Sequence, residues 1–156
     1  MKKMFSFLLV LSLLILICLP QSTFAYSYQG PEAELINLIN AERAKSGTQP
    51  IAINWEVARI ARYKSEEMKR HGLFSHESLV YGNPSEQLAR FNVPHSIVGA
   101  NIAMGHETPE EVLDAWLSSQ SHHANLVNAE YTSAGAGLSV DDDGIHYWTL
   151  MLVKDR

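Results

Sequence analysis

The C-terminal segment constrains this chain most. From Ile145 to Val153 both alternating faces are apolar, with Ile145, Tyr147, Met151 and Val153 on one and Trp148, Leu150 and Leu152 on the other. A strand with one face in water alternates apolar and polar residues, so this one needs cover on both sides. Helical segments upstream can supply it. Pro31 opens a helix carrying Leu35, Ile36, Leu38 and Ile39 that runs to about Lys45 and stops at Ser46-Gly47. Asn54 caps a second, with a stripe of Val57, Ala58, Ala61, Tyr63 and Met68, ending near Gly72. Thr108-Pro109-Glu110-Glu111 is a capping box that starts a third, burying Val112, Leu113 and Trp116 and ending around Ser118-Ser119.

The remaining elements are shorter. Residues 73–83 read as irregular, Asn83-Pro84-Ser85 start a short helix towards Phe91, Val98 to Met104 reads as a short strand, and 122–128 as a turn or short helix. Ala136 to Val140 and Ile145 to Val153 are strands joined across Asp141-Asp142-Asp143-Gly144, where Asp-Gly is a hairpin signal. Trp55, Trp116 and Trp148 are expected in the core. Helices come first and strands mostly later, so the expected class is α+β, an α/β/α three-layer sandwich with a small antiparallel sheet.

The N-terminus reads as an export signal. Lys2 and Lys3 precede an apolar stretch from Phe5 to Leu19, and Thr23-Phe24-Ala25 places small residues at the cleavage positions. The apolar run is shorter than the ~20 residues of a spanning helix, so residues 1–25 are expected to be a cleaved signal peptide and no span is expected to remain. A short lead, 26–32, follows, its last residues opening the first helix, and then one domain, 33–154. Cleavage removes the only cysteine, Cys18, and leaves ten basic and seventeen acidic groups, a formal charge of −7 against −5 for the whole chain. A cysteine-free exported domain depends on its own core. The acidic balance, with no Lys/Arg cluster, excludes a general electrostatic attraction to nucleic acid.

All seven histidines lie after the leader. His76 follows the second helix and His122-His123 follow the third, so these loop imidazoles can meet only through the fold. Such a pair suits zinc or copper, or acid/base chemistry. No H-E-x-x-H, C-x-x-C or G-x-S-x-G motif occurs, which leaves surface or hydrogen-bonded histidines as the alternative reading. Asp141-Asp142-Asp143 lacks the alternating ligands of a calcium loop.

Taken in order, Ile39-Asn40-Ala41-Glu42-Arg43, Gly47 and Pro50, Phe74-Ser75-His76, Gly99-Ala100-Asn101-Ile102-Ala103, Trp116-Leu117-Ser118-Ser119-Gln120-Ser121-His122, Gly135-Ala136-Gly137 and Tyr147-Trp148-Thr149 form a pattern. It resembles the CAP superfamily of cysteine-rich secretory, antigen 5 and pathogenesis-related proteins, and within it the cysteine-free bacterial SCP-like branch. The resemblance covers residues 33 to 153. It implies an open cleft with two histidines, matched by His76 and His122, and acidic residues that in several members bind a divalent metal. The family's acidic position in Gly-Glu-Asn-Ile-Ala is Ala100 here. Ser119 stands where eukaryotic members have a second glutamate, His123 where an arginine is usual, and Glu86-Gln87 where an acidic-arginine pair is common.

The resemblance thus implies a cleft containing His76, Asn101, His122 and His123, with Asn101 as structural support. His76 and His122 are candidate ligands for a weakly held zinc, and no catalytic residue is assigned. The expected function is an exported, monomeric binding module for a small ligand, a lipid or an envelope component. The alternatives are a metal-dependent hydrolase of peptides or envelope polymers, disfavoured by Ala100, and a structural spore or envelope component.

Overall fold

A computed structural model describes residues 30–156; the expected signal peptide and residues 26–29 of the lead lie outside the described residues. The elements are α1 (Pro31–Lys45), β1 (Ala52–Ile53), α2 (Trp55–His71), α3 (Pro84–Arg90), β2 (Ile97–Met104), α4 (Pro109–Leu117), α5 (Gln120–Val127), β3 (Ser133–Val140) and β4 (His146–Lys154). Local signals set the helix ends. The Asn54 side chain accepts from the Glu56 and Val57 amides, and Gly72 closes α2 in a left-handed conformation at φ 58°. Asn83 and Glu86 form a complete capping box on α3. On α4 the Thr108 hydroxyl accepts from the Glu111 amide (3.3 Å), but the Glu111 carboxylate accepts from the Glu107 amide (2.8 Å), one residue outside the expected box.

The sheet order is β1-β3-β4-β2. β4 is antiparallel to both β2 and β3, whereas β1 is parallel to β3, so the sheet is mixed where a wholly antiparallel one was expected. The extra strand has two residues, too few for a periodic signal. The two faces of β4 are both covered. Trp148, Leu150 and Leu152 pack with Leu35, Ile36 and Ile39 of α1, Val112 and Trp116 of α4 and Leu126 of α5. Met151 and Val153 pack with Val57, Ile60 and Ala61 of α2 and Leu88 of α3. The result is an α+β three-layer sandwich.

The Gly135-Ala136-Gly137 motif follows from this layering. A Cβ at Gly135 would lie 2.0 Å from the Ala58 nitrogen, and one at Gly137 2.2 Å from the Arg62 nitrogen. The α2 backbone therefore rests directly on β3. Two aromatic placements differ from expectation. Tyr63 is 39% exposed because the buried stripe runs through Val57, Ala61, Lys64 and Met68, which turns position 63 outward to meet Tyr81 (5.5 Å between centroids) and Phe91 (6.2 Å). Trp55, at the first turn of α2, is 48% exposed, while Trp116 and Trp148 are in the core. No described helix is long and apolar enough to cross a membrane.

Candidate functional site

Among the described residues β2 is an edge strand of the sheet. The loop after α2 and helix α5 meet there. Their histidines face each other, with the His76 and His122 ring centroids 6.4 Å apart and the planes 36° from parallel. Next to His122 runs an open groove of about 330 Å³, lined by Phe74, Ile102, Ala103, Met104, His106, Ala115, Trp116 and Ser119. Phe74 and Met104 are exposed at its mouth. The site is thus a largely apolar groove with His106 and His122 in its lining and His76 facing His122.

The wall under His122 is held by buried amides. Asn101 donates to the His122 carbonyl (3.1 Å), Asn125 donates to the Asn101 side-chain oxygen (2.9 Å), and the Trp116 indole donates to the Ile102 carbonyl (3.0 Å). The last of these occupies a main-chain carbonyl of the edge strand β2, a group that would otherwise invite strand pairing. Further back, the fully buried Arg43 donates to the carbonyls of Leu126 (2.8 Å), Asn128 (2.9 Å), Tyr131 (3.3 Å) and Gln49 (2.8 Å). Asn40 exchanges two hydrogen bonds with the Ile51 backbone (2.9 and 3.1 Å). The Asn-Ala-Glu-Arg motif therefore ties α1 to the end of α5 and to the chain entering β1; its buried groups are remote from the cleft chemistry.

The support under His76 is ionic. Lys64 and Glu67 are 1% and 6% exposed and form a 2.8 Å ion pair. Lys64 also donates to the Glu77 carbonyl (2.7 Å), and Glu67 accepts from the Ser78 hydroxyl (2.8 Å) and the Leu79 amide (3.1 Å). Burial alone pushes the Glu67 carboxyl up, but Lys64, Ser78 and Leu79 together hold it below the usual carboxylate range. Partial desolvation, the neighbouring His122 and the Lys64 ammonium push the His76 imidazole below its ordinary value, so it is neutral at neutral pH.

The other expected residues fall elsewhere. Asn101 is fully buried and acts through α5 without offering the cleft a surface. His123 was expected in the cleft; one position along α5 from His122, it turns towards α1, with Nε2 4.0 Å from the Glu42 carboxylate. Ala100 is opposite Met151 in the ladder, so its methyl group lies on the α2 face of the sheet. Sequence reasoning missed Lys64 and Glu67, and it missed His106 and Met104 as groove lining. The signal for Lys64 was present, since spacing 57-61-64-68 puts a lysine in line with buried apolar positions.

The divalent metal that the resemblance implies does not fit this donor set. Two imidazoles face each other, position 100 has no ligand atom, and among the described residues no group of three or more His, Cys, Asp or Glu is placed to hold an ion. Two ligands fall short of the three or four that zinc sites use.

The family model of the cysteine-rich secretory protein family, CAP, matches residues 36–152. YkwD, an uncharacterized protein of Bacillus subtilis, is 39% identical over 118 residues, which is 76% of this chain and 44% of the relative. An extracellular protein of Bacillus anthracis containing an SCP domain superposes with a TM-score of 0.72 at 29% identity, over 81% of this chain and 41% of the other. An outer surface protein of Borrelia burgdorferi superposes with a TM-score of 0.74 at 20% identity, over 80% of this chain and 92% of the other, a likeness of fold. This chain spans less than half the length of the curated relatives it matches.

Proposed function

The chain belongs to the cysteine-rich secretory protein (CAP) family, and from that premise we propose that it is an exported binding module whose cleft holds a small amphiphilic ligand, such as a lipid or an envelope component. One observation carries the reading: the open groove lined by Phe74, Ile102, Met104 and Trp116 also has His122 in its wall, and His122 faces His76. The apolar wall suits a hydrocarbon body, and imidazoles, which when neutral both donate and accept, suit a hydroxyl or similar polar group beside it. Export is supported by the leader-like residues 1–25 and by the descriptions of two structural relatives as extracellular and outer surface proteins.

The test is a binding assay with a fatty acid, a sterol and a wall disaccharide-peptide against the purified protein and its His76→Ala and His122→Ala variants. Saturable binding of at least one probe that both substitutions weaken is expected. No saturable binding, or binding indifferent to both, contradicts the reading. A metal-dependent hydrolase would instead show zinc-raised thermal stability, since a ligand at 100 times its Kd adds about 2.7 kcal/mol. With the present donor set zinc should leave Tm unmoved.

A further inference from the structure

The loop that presents His76 contains no regular element beyond a single bridge between Ser78 and Gly82, yet its backbone is gripped from beneath by three buried side chains. Lys64 takes the Glu77 carbonyl, Glu67 takes the Leu79 amide and the Ser78 hydroxyl, and Gln87 donates to the carbonyls of His76 (3.3 Å) and Gly82 (3.0 Å). The Ser78 oxygen in turn accepts from the amides of Val80 (3.2 Å) and Tyr81 (3.0 Å). A buried ion pair is a poor way to gain stability, because an apolar pair of the same volume is often as stable or more so. What the pair supplies is direction. Two charged groups fixed on consecutive turns of a rigid helix set two backbone groups and one hydroxyl of the loop in place, flanking His76 on its C-terminal side.

We propose that Lys64 and Glu67 are positioning residues of the cleft: the hydrogen bonds that this buried pair makes to Glu77, Ser78 and Leu79 clamp the loop and fix His76 opposite His122. The proposal deepens the reading of the cleft as a binding site and rests on it, but its test needs no ligand. In the purified, isotope-labelled protein, two double variants are compared. Lys64→Met with Glu67→Leu removes both charges and the acceptors for the loop. Lys64→Met with Glu67→Gln removes the charges but keeps an acceptor for Ser78 and Leu79. The readouts are the nuclear Overhauser contact between the His76 and His122 rings and hydrogen exchange at the Leu79 amide.

The Leu-containing variant should still melt cooperatively, lose the ring contact and exchange Leu79 at least about tenfold faster; the Gln-containing variant, which loses the bond to Glu77 but keeps an acceptor for Ser78 and Leu79, should show a weaker contact and a smaller acceleration. An unchanged contact and exchange rate in the Leu-containing variant, or equal loss in both, overturns the proposal. If the Leu-containing variant does not fold, the Gln-containing variant decides: a weakened ring contact with faster exchange at Leu79 supports the clamp, and parent-like values of both overturn it. Loss of the ring contact in a protein that binds none of the probes would refute the binding reading and leave the clamp standing.

Discussion

The two histidines of the cleft arrive by different means. His122 sits on a helix whose supports are amides and a guanidinium: Asn101, Asn125 and, behind them, Arg43. His76 sits on an irregular loop whose support is a buried ammonium–carboxylate pair. The first set of supports keeps one charge state at any ordinary pH, since amides do not titrate and arginine stays protonated. The second includes a carboxylate that titrates. One wall of the cleft is therefore fixed by geometry alone, and the other by geometry that a proton weakens.

Substitutions at the supports should expose this difference. The largest effect is expected at Arg43, where Arg43→Met strands four carbonyls that its guanidinium now satisfies; at 1–3 kcal/mol per unsatisfied buried group, a loss of at least about 4 kcal/mol is expected in urea unfolding. A loss below about 1 kcal/mol would show that α5 is held some other way. Next is Lys64→Met, which leaves Glu67 buried without its partner and should cost about 3 kcal/mol, more than Lys64→Met combined with Glu67→Leu. If the double variant is the less stable, the pair contributes net stability and its role is not chiefly directional. Asn101→Ala removes the bond to the His122 carbonyl and the acceptor for Asn125, for about 2 kcal/mol. The accompanying ring shifts should be confined to His122; equal shifts at His76 would mean that the two walls are coupled.

The smallest effect is the pH dependence of stability, whose sign is the same at the two sites and whose window differs. Glu67 is held below the ordinary carboxylate value of 4.5, so its contribution is complete above that value and is lost as pH falls through the lowered folded value. His76 is held below 6.5. The unfolded chain therefore takes up its proton first, and stability declines as pH drops below 6.5, levelling off under the folded value. Thermal melts from pH 7 to pH 3 should show both declines. The Lys64→Met, Glu67→Gln variant should lose the lower one and keep an upper one reduced by the absence of the Lys64 charge. A lower decline that persists in that variant would assign it to another carboxylate.

The same contrast marks what could be read from residues alone. The α5 side was legible because its parts carry local signatures: a capping proline at Pro109, a tryptophan on the apolar face of α4, and a motif whose half-buried Asn40 and buried Arg43 bind backbone. The closely packed glycines 135 and 137 were legible as a pattern, although the reason, the α2 backbone resting on β3, appears only with the fold. The α2 side was not legible. A lysine within an apolar stripe looks like a solvated face until a loop folds over it, and a two-residue strand such as β1 has no period to detect. His123 shows the limit of adjacency: neighbouring positions on a helix diverge by about 100°, so His122 reaches the cleft while His123 turns to Glu42.

The central claim is that His76, His122 and the apolar groove act as one binding surface. Its most direct test is to follow the two imidazole rings and the Trp116 indole N–H by NMR while titrating the fatty acid, the sterol and the wall fragment in turn. For at least one of them all three signals should move together along a single saturable curve that His122→Ala abolishes. Saturable binding that leaves both imidazole rings unmoved would contradict the account.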